Sequence, residues 1–399
     1  MTPSLLAALS LAYSLPAIPR TVTRASPPRL DAASDVAAWC VASERADAAV
    51  TVSGATTMAE ALRDFWYVAG AMGASLGDGA AERAIAFPTC AEFVDPQQFT
   101  AVVDHINACS QMSEFLGDEL RMTARHPAAD QGGDAAPPAP LLLLKSYQSA
   151  GFSDFFGDDD PFAALEARLG AEGGGDFGAA AARASEEEIL AETHKWVQAV
   201  IVDMKVCPFS NGVHTAGVPM GGVTYPLSRA EGAEAIYQAF WEQVEELALT
   251  DEKTLATVLL ITPDFAQYSV DAYDALADSL GAALVNLGLE KDLQLVFFHP
   301  EFTFRDGKER MGGEGEAANF ARRSPYPMIN LLRTPQVRDA QKGIPTGAVY
   351  DVNERNMATV GTETLREMLQ ARDWTGLEGR SWEPHPTRAK LETKARQNF

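Results

Sequence analysis

Positive charge is scarce in this chain. Its 399 residues include 32 Lys and Arg against 55 Asp and Glu, which gives a formal net charge of −23. Proteins that bind nucleic acids or anionic membranes in general depend on an excess of Lys and Arg. The deficit therefore excludes a general binder of either kind, and we expect no nucleic-acid partner.

Cysteines and long apolar runs are scarce as well. The four cysteines show neither a Cys-x-x-Cys pair nor a zinc-ligand spacing; they are Cys40, Cys90, Cys109 and Cys207. Because they are too few and too scattered for a disulfide scaffold, we expect free thiols and no metal site. The apolar run at residues 5–16 is too short to cross a bilayer, so we expect no transmembrane segment in the mature chain.

Residues 1–33 have the composition of a targeting leader. The apolar run is followed by residues 19–29, which carry three arginines, and no acidic residue precedes Asp31. This order is typical of a signal followed by a transit sequence, as used for plastids of secondary origin. We therefore predict a plastid location, with secretion or mitochondrial import as the alternatives.

The same landmarks occur twice along the chain. The Phe-Trp pair at residues 65–66 recurs at 240–241, and Pro88 recurs as Pro263, both at a spacing of 175 residues. With small gaps, His126-Pro127 then recurs as His299-Pro300. Ordered self-similarity of this kind predicts an internal duplication.

The duplication predicts five parts in the chain. They are the leader (1–33), a degenerate first unit (34–150), a glycine-rich flexible connector (151–184), an intact second unit (185–376) and a tail (377–399). The first unit lacks about 18 residues around the counterpart of Cys207, and it has no counterpart of residues 322–324. Features confined to the second unit are therefore the candidates for function.

Strands alternate with helices in the second unit. Ser185 and Glu188 form a capping box that predicts a helix at 186–205. Hydrophobic patterns predict strands at 223–227, 255–261 and 293–298, and helices at 233–249, 270–287, 326–333 and 352–371. The alternation predicts an α/β fold of tandem compact units, each with a small, partly parallel sheet of three or four strands packed by helices.

Candidate ligand-binding residues follow the predicted strands. In an open α/β sheet, ligands bind beyond the carboxyl ends of the strands, and residues 305–323 there form a long stretch without apolar periodicity, which predicts a lid or binding loop. Ser324 at an N-cap would begin a helix whose free amides could hold a carboxylate or phosphate. We expect Arg322, Arg323 and Tyr326 to contribute to this site. Arg323 could instead pair with a nearby acid.

Three residues are candidates for catalysis: Cys207, His214 and His299. Cys207 follows the carboxyl end of a helix, where the dipole disfavours a thiolate, so an active thiol would need a neighbouring cation or histidine; the alternative is a buried, inert cysteine. His299 could be a general base or a metal ligand. Its counterpart His126 in the degenerate unit favours a structural role instead.

Several motifs of the second unit carry a family resemblance. They are Trp196, Cys207-Pro208-Phe209, Phe298-His299-Pro300, Arg323-Ser324-Pro325-Tyr326-Pro327 and Glu354-Arg355-Asn356. Together they resemble the bacterial and plastid family named domain of unknown function 1415, over about residues 188–375. The resemblance implies no established activity and no known cofactor.

Two functional classes follow from these patterns. The first is a small-molecule enzyme or binder with an anion-binding pocket at the carboxyl ends of the strands in the second unit. The alternative is a non-catalytic organellar scaffold or regulatory protein built from the paired units. The sequence leaves open the substrate, the reaction type and the oligomeric state.

Overall fold

The computed structural model describes residues 32–42, 49–73, 81–113, 118–128, 136–148, 184–217, 220–267, 269–305, 308, 314–341 and 346–384. The predicted leader up to residue 31, the connector before Ala184, the tail after residue 384 and the side chain of Cys109 lie outside this description. Within it, no helix is both long and apolar enough to cross a membrane.

The first unit contains three helices and four strands among its described residues. They are α1 (Ala32–Ala42), β1 (Ala49–Val52), α2 (Met58–Gly73), β2 (Ala81–Ala86), α3 (Pro96–Ser113), β3 (Asp118–Arg125) and β4 (Leu141–Gln148). The strands lie in the order β1-β2-β4-β3. β1 is parallel to β2, and the other pairs are antiparallel.

The second unit opens with α4 (Glu186–Trp196), which continues as a π-helix (Val197–Asp203), and a hairpin of β5 (Ser210–Gly212) and β6 (Thr215–Ala216). The later elements are β7 (Gly221–Thr224), α5 (Ala233–Leu249), β8 (Leu255–Ile261), α6 (Val270–Asn286), β9 (Leu293–Phe298), a 3-10 helix (Glu314–Ala321), β10 (Met328–Arg333), α7 (Thr334–Gln341), α8 (Thr346–Val360) and α9 (Thr362–Ala371). Its sheet has the order β5-β6-β7-β8-β10-β9, so the predicted α/β class is confirmed.

Four strands of the second sheet repeat the whole of the first. β7-β8-β10-β9 has the order and directions of β1-β2-β4-β3, and β7 is parallel to β8. A backbone bond just beyond the paired strands is repeated too, because the amide of Phe87 donates to the carbonyl of Pro140 and that of Thr262 to Pro327, both at 2.9 Å. This correspondence agrees with the predicted repeat.

The helices of the two units pack on their own counterparts. α2 lies against α5 and α3 against α6, between two sheets that stay separate. The indole of Trp66 on α2 stacks on the ring of Tyr237 on α5, with centroids 4.4 Å apart. One hydrophobic cluster contains side chains of both units, so they share a core.

The outer face of each sheet is covered by the first helix of its unit. Trp39 of α1 packs in a cluster with Ala84 of β2, and Trp196 of α4 packs in a cluster with Leu259 of β8, which is the counterpart of Ala84. In the second unit the π-helix and the β5-β6 hairpin extend this cover. They are the structural form of the segment that the first unit lacks.

The predicted helix at 326–333 is wrong, because Met328–Arg333 is the strand β10. β10 lies between β8 and β9 and is apolar on both faces: Met328 joins the outer cluster and Ile329 the inner one. A short apolar run of this kind does not distinguish a central strand from a buried helix. The predicted helix at 352–371 is two helices, broken at Gly361, whose φ is +90°.

Candidate functional site

The carboxyl ends of β8 and β9 lie at one edge of the second sheet, because β10 is antiparallel to both. The segments 262–264, 299–301 and 322–327 meet at this edge. The amide of His299 donates to the carbonyl of Arg322 at 3.2 Å, which ties two of these segments together. This edge therefore brings together His299, Arg322 and the loop before β10.

His299 is fully buried, and both of its ring nitrogens are occupied. Nε2 donates to the carbonyl of Ala266 at 3.1 Å, and Nδ1 accepts from the amide of Glu301 at 3.1 Å. Burial lowers the pKa of His299 to about 4. His126 makes the same two bonds, to a carbonyl at 2.8 Å and from an amide at 3.1 Å, so the shared histidine joins a strand end to a loop in both units.

Ser324 and Tyr326 hold the loop before β10. Ser324 is fully buried and donates its hydroxyl to the carbonyl of Tyr326 at 2.6 Å. Tyr326 donates its own hydroxyl to Glu192 at 2.5 Å, and Arg372 lies 4.6 Å above its ring. Because a strand follows Ser324, the predicted helix N-terminus at this position does not exist.

Arg323 is paired with an acid, which is the alternative role that the sequence left open for it. Its guanidinium forms an ion pair with Glu316 at 3.1 Å, donates to the carbonyl of Phe302 at 3.0 Å and lies 4.8 Å above the ring of Phe320. Glu316 also pairs with Arg366 at 2.9 Å. Burial lowers the pKa of Arg323, and the bond to Glu316 opposes that shift.

Arg322 lies among aromatic rings at the end of β9. Its guanidinium is 5.6, 5.9 and 6.0 Å from the ring centroids of Phe298, Phe302 and Phe304. Nη1 donates to the carbonyl of Phe297 at 3.3 Å. The rings attract the cation electrostatically and exclude water from it.

The charge of Arg322 has no carboxylate partner in the described part of the chain. Burial lowers the pKa of its guanidinium, and the nearby side chains of Tyr350 and Cys207 oppose that shift. Cys207 thus lies within electrostatic range of Arg322. Arginines withdrawn from water are usually paired with an acid, which makes Arg322 the candidate anion-binding group.

Cys207 and His214 do not come together. Cys207 is partly buried and packs against the apolar cluster of Phe209 and Val337. His214 lies in the exposed turn of the β5-β6 hairpin, where its ring centroid is 5.1 Å from that of His194. The structure therefore places Cys207 against this apolar cluster and His214 at the surface.

Two adjoining cavities lie between the outer face of the second sheet and its cover. The apolar cavity is lined mainly by rings and aliphatic side chains, among them Trp196, Ile201, Val213, Leu259 and Phe298. The polar cavity is lined in part by Cys207, Ser210, Thr257, Asn330 and Gln336. Both depend on the hairpin that is confined to the second unit.

The comparisons agree with the motifs of the second unit. Residues 188–369 match the model of a family described as protein of unknown function (DUF1415). The second unit resembles this family. Its match runs from α4 into α9 and includes Cys207, the hairpin and Arg322, whereas the first unit lies outside it. Comparisons with curated proteins and with solved structures give no match.

Sequence reasoning missed three polar residues of the DUF1415 match. Asn330 lines both cavities and accepts from the hydroxyl of Thr257 at 2.8 Å. The sequence did contain a signal for Asn330, because its amide side chain interrupts the apolar run of β10. Gln336 and Tyr350 reach the site through the packing of α7 and α8, and no local pattern marks them.

The DUF1415 match offers no grouping of side chains typical of a metal site among its described residues. Among the described residues, no three side chains of the His, Cys, Asp and Glu types stand close enough to hold a metal ion. The polar groups here are the guanidinium of Arg322 near the phenol of Tyr350, and, around the polar cavity, the thiol of Cys207 with the carboxamides of Asn330 and Gln336. These groups can bind an acid and hydrogen-bond a neutral acceptor.

Proposed function

We propose that the second unit is a small-molecule enzyme or binder that holds an acidic group of its ligand on Arg322, beside the thiol of Cys207. The observation that carries the proposal is a guanidinium packed among phenylalanine rings with no carboxylate partner in the described residues. Burying a charge is unfavourable unless an opposite charge compensates it. A carboxylate or phosphate on the ligand would supply that charge through paired hydrogen bonds.

The surroundings of Arg322 support the same function. Its counterpart is missing from the first unit, and so is the hairpin segment that carries Cys207. An environment poor in water strengthens each electrostatic contact made to a bound acid. The proposed site would hold the ligand beside the thiol of Cys207.

The test compares two alkylating reagents at Cys207 in the full chain. Iodoacetate carries a carboxylate and iodoacetamide does not, yet both react with the thiolate, so the ratio of their rate constants cancels the pKa of the thiol. In Arg322→Met this ratio should fall by about tenfold or more, which corresponds to roughly 1.5 to 3 kcal/mol for a charge-assisted bond. Mass spectrometry of the Cys207 peptide measures both rates.

Arg305→Met is the matched control for this test. Arg305 is an exposed arginine of the same loop, and it pairs with Asp274, so its loss should leave the ratio unchanged. An unchanged ratio in a folded Arg322→Met protein would refute the acid-binding site. The paired units would then be better explained as a scaffold, a function favoured by the extensive packing of α2 on α5.

A further inference from the structure

The apolar and polar cavities share part of their walls. Ser210, Ala216, Thr257 and Asn330 line both of them. The outer face of β8 and β10 forms the floor of this space, and the π-helix and the β5-β6 hairpin cover it. One molecule can therefore lie along the strands beneath the cover, with one end in each cavity.

The two cavities follow each other along the strand direction. Leu332 of β10 lines the polar cavity and pairs with Thr257, whereas Phe298 lines the apolar cavity and pairs with Met328. From Leu332 to Met328 the strand spans about 13 Å at the usual rise per residue. The polar cavity thus lies toward the amino ends of β8 and β9, and the apolar cavity extends toward their carboxyl ends.

The polar cavity contains an amide without a partner. Gln336 is only 6% exposed and lines the cavity from α7, and its Nε2 donor makes no hydrogen bond within the described residues. The hairpin packs against this amide, because a Cβ on Gly217, whose φ is +88°, would lie 2.7 Å from Oε1 of Gln336. A buried donor left unpaired is unfavourable, and native proteins keep few of them. The amide therefore indicates a ligand atom that accepts its hydrogen bond.

The walls favour an uncharged ligand. Arg333 is the charged residue among the described side chains that line the two cavities. Its Nε donates to the carbonyl of Leu255 at 3.1 Å, and its Nη2 donates to those of Leu247 and Thr250 at 2.7 and 2.6 Å. An ionised head group would lose its hydration here and find a guanidinium that is already engaged, which is unfavourable.

The apolar cavity suits a hydrocarbon chain. Its lining includes the rings of Trp196 and Phe298 and the aliphatic side chains of Val213 and Leu259. Tyr225 also lines it, but its hydroxyl already donates to the carbonyl of Val213. Removing a chain from water against such walls is favourable in proportion to its apolar area.

We propose that the two cavities together bind one uncharged amphipathic molecule, which places a hydrogen-bond acceptor on Gln336 and a straight hydrocarbon chain beneath Trp196 and Val213. This site is additional to the acid site proposed at Arg322. Arg322 lines neither cavity, so the two sites do not depend on each other. The hairpin that covers the new site is confined to the second unit.

The first test varies the chain of the ligand. Equilibrium dialysis against the full chain gives the Kd of butanamide, hexanamide and octanamide, which share one head group. The Kd should fall about fourfold for each added methylene, the usual effect of burying one CH₂ group. Val213→Trp fills the apolar cavity from the hairpin, so it should raise the Kd of octanamide about tenfold or more and leave that of butanamide nearly unchanged. Val213→Phe is a smaller second variant.

The second test removes the donor for the head group. Gln336→Met should raise the Kd of octanamide about fivefold, the usual scale for one buried hydrogen bond. The variant should keep or raise the Tm, because it loses an unpaired buried donor. Gln243→Met is the matched control: Oε1 of Gln243 on α5 is also buried without a partner, but this residue lines neither cavity, so the Kd should stay unchanged.

The outcomes separate this inference from the proposed function. Arg322→Met should leave the Kd of octanamide at its wild-type value, whatever it does to the alkylation ratio at Cys207. A rise in that Kd would show that the two sites are one and would overturn the second site. Absence of saturable amide binding, a Kd independent of chain length, or an octanamide Kd that Gln336→Met leaves unchanged would also overturn it, without bearing on the acid site.

Discussion

The first and second units share the parts that close the fold and differ in what covers the outer face of the sheet. In the first unit α1 packs on this face through Trp39. In the second, a π-helix and a hairpin are added beside α4, and cavities lie beneath them. Of the residues in the proposed site, Cys207 belongs to these additions, and Arg322 lies in a second segment that has no counterpart in the first unit.

The two neighbouring arginines also differ, in whether their charge is paired within the chain. Arg323 is paired with Glu316, whereas Arg322 is surrounded by rings. Arg323 is thus paired within the chain, whereas Arg322 has no carboxylate partner among the described residues and is the proposed anion-binding group. The predictions that follow test this division between shared frame and added site.

The largest expected effect belongs to the core common to both units. Trp66→Ala should lower the free energy of unfolding by about 3 to 5 kcal/mol, the usual loss for a buried tryptophan. Because Trp66 stacks on Tyr237, hydrogen exchange should show that β8 of the second unit loses protection together with β2. Tyr67→Ala, on the same helix but 65% exposed, should change stability by less than about 0.5 kcal/mol. Loss of protection confined to the first unit would contradict a shared core.

Arg323→Met should cost stability without changing ligand selection. It breaks a mostly buried ion pair, although Glu316 stays paired with Arg366, so we expect a loss of about 1.5 to 3 kcal/mol in urea unfolding. The ratio of iodoacetate to iodoacetamide alkylation at Cys207 should stay at its wild-type value. If that ratio fell as far as in Arg322→Met, the two arginines would have the same role and the division would be wrong.

The smallest effect concerns acid stability. The pKa of His299 is lowered to about 4 by burial, below the value near 6.5 of an unfolded histidine. Between these values the unfolded chain binds a proton that the native protein does not, so stability is full above about pH 6.5 and falls as the pH drops toward 4. We expect His299 to contribute about 1 to 3 kcal/mol to this loss.

The measurement is the free energy of unfolding against pH in the wild type and in His299→Gln. The variant should show a shallower decline between pH 6.5 and 4, whatever its stability at neutral pH. Equal slopes would show that other groups account for the decline.

The regular frame of the second unit was predictable from the sequence. α5, β8 and β9 have the predicted bounds of 233–249, 255–261 and 293–298, and the capping box at Ser185 begins α4 as expected. Periodicity and caps act locally, so local patterns reveal them. β10 was not predictable in this way, because its apolar run is explained by the two layers that sandwich it.

The candidate site was predictable only in outline. The sequence indicated that Cys207 and the arginines belong to one site, and this stays a prediction. Which of two adjacent arginines is paired depends on how the 3-10 helix brings Glu316 to Arg323, and that is a property of tertiary packing. The unpaired Nε2 donor of Gln336 is likewise a result of tertiary packing, because no sequence pattern shows whether a side chain has a partner.

The π-helix that follows α4 determines the angle, around the helix axis, at which the following residues leave the helix. The amide of Met204 bonds to the carbonyl of Ala199, five residues back, at 3.1 Å. Compared with an α-helix, the turn contains one additional residue, which is equivalent to about 100° of rotation and about 1.5 Å of rise. The number of residues from Trp196 to Cys207 therefore sets the direction in which Cys207 leaves the helix, and a chain one residue shorter here would turn its thiol toward a different part of the sheet's cover.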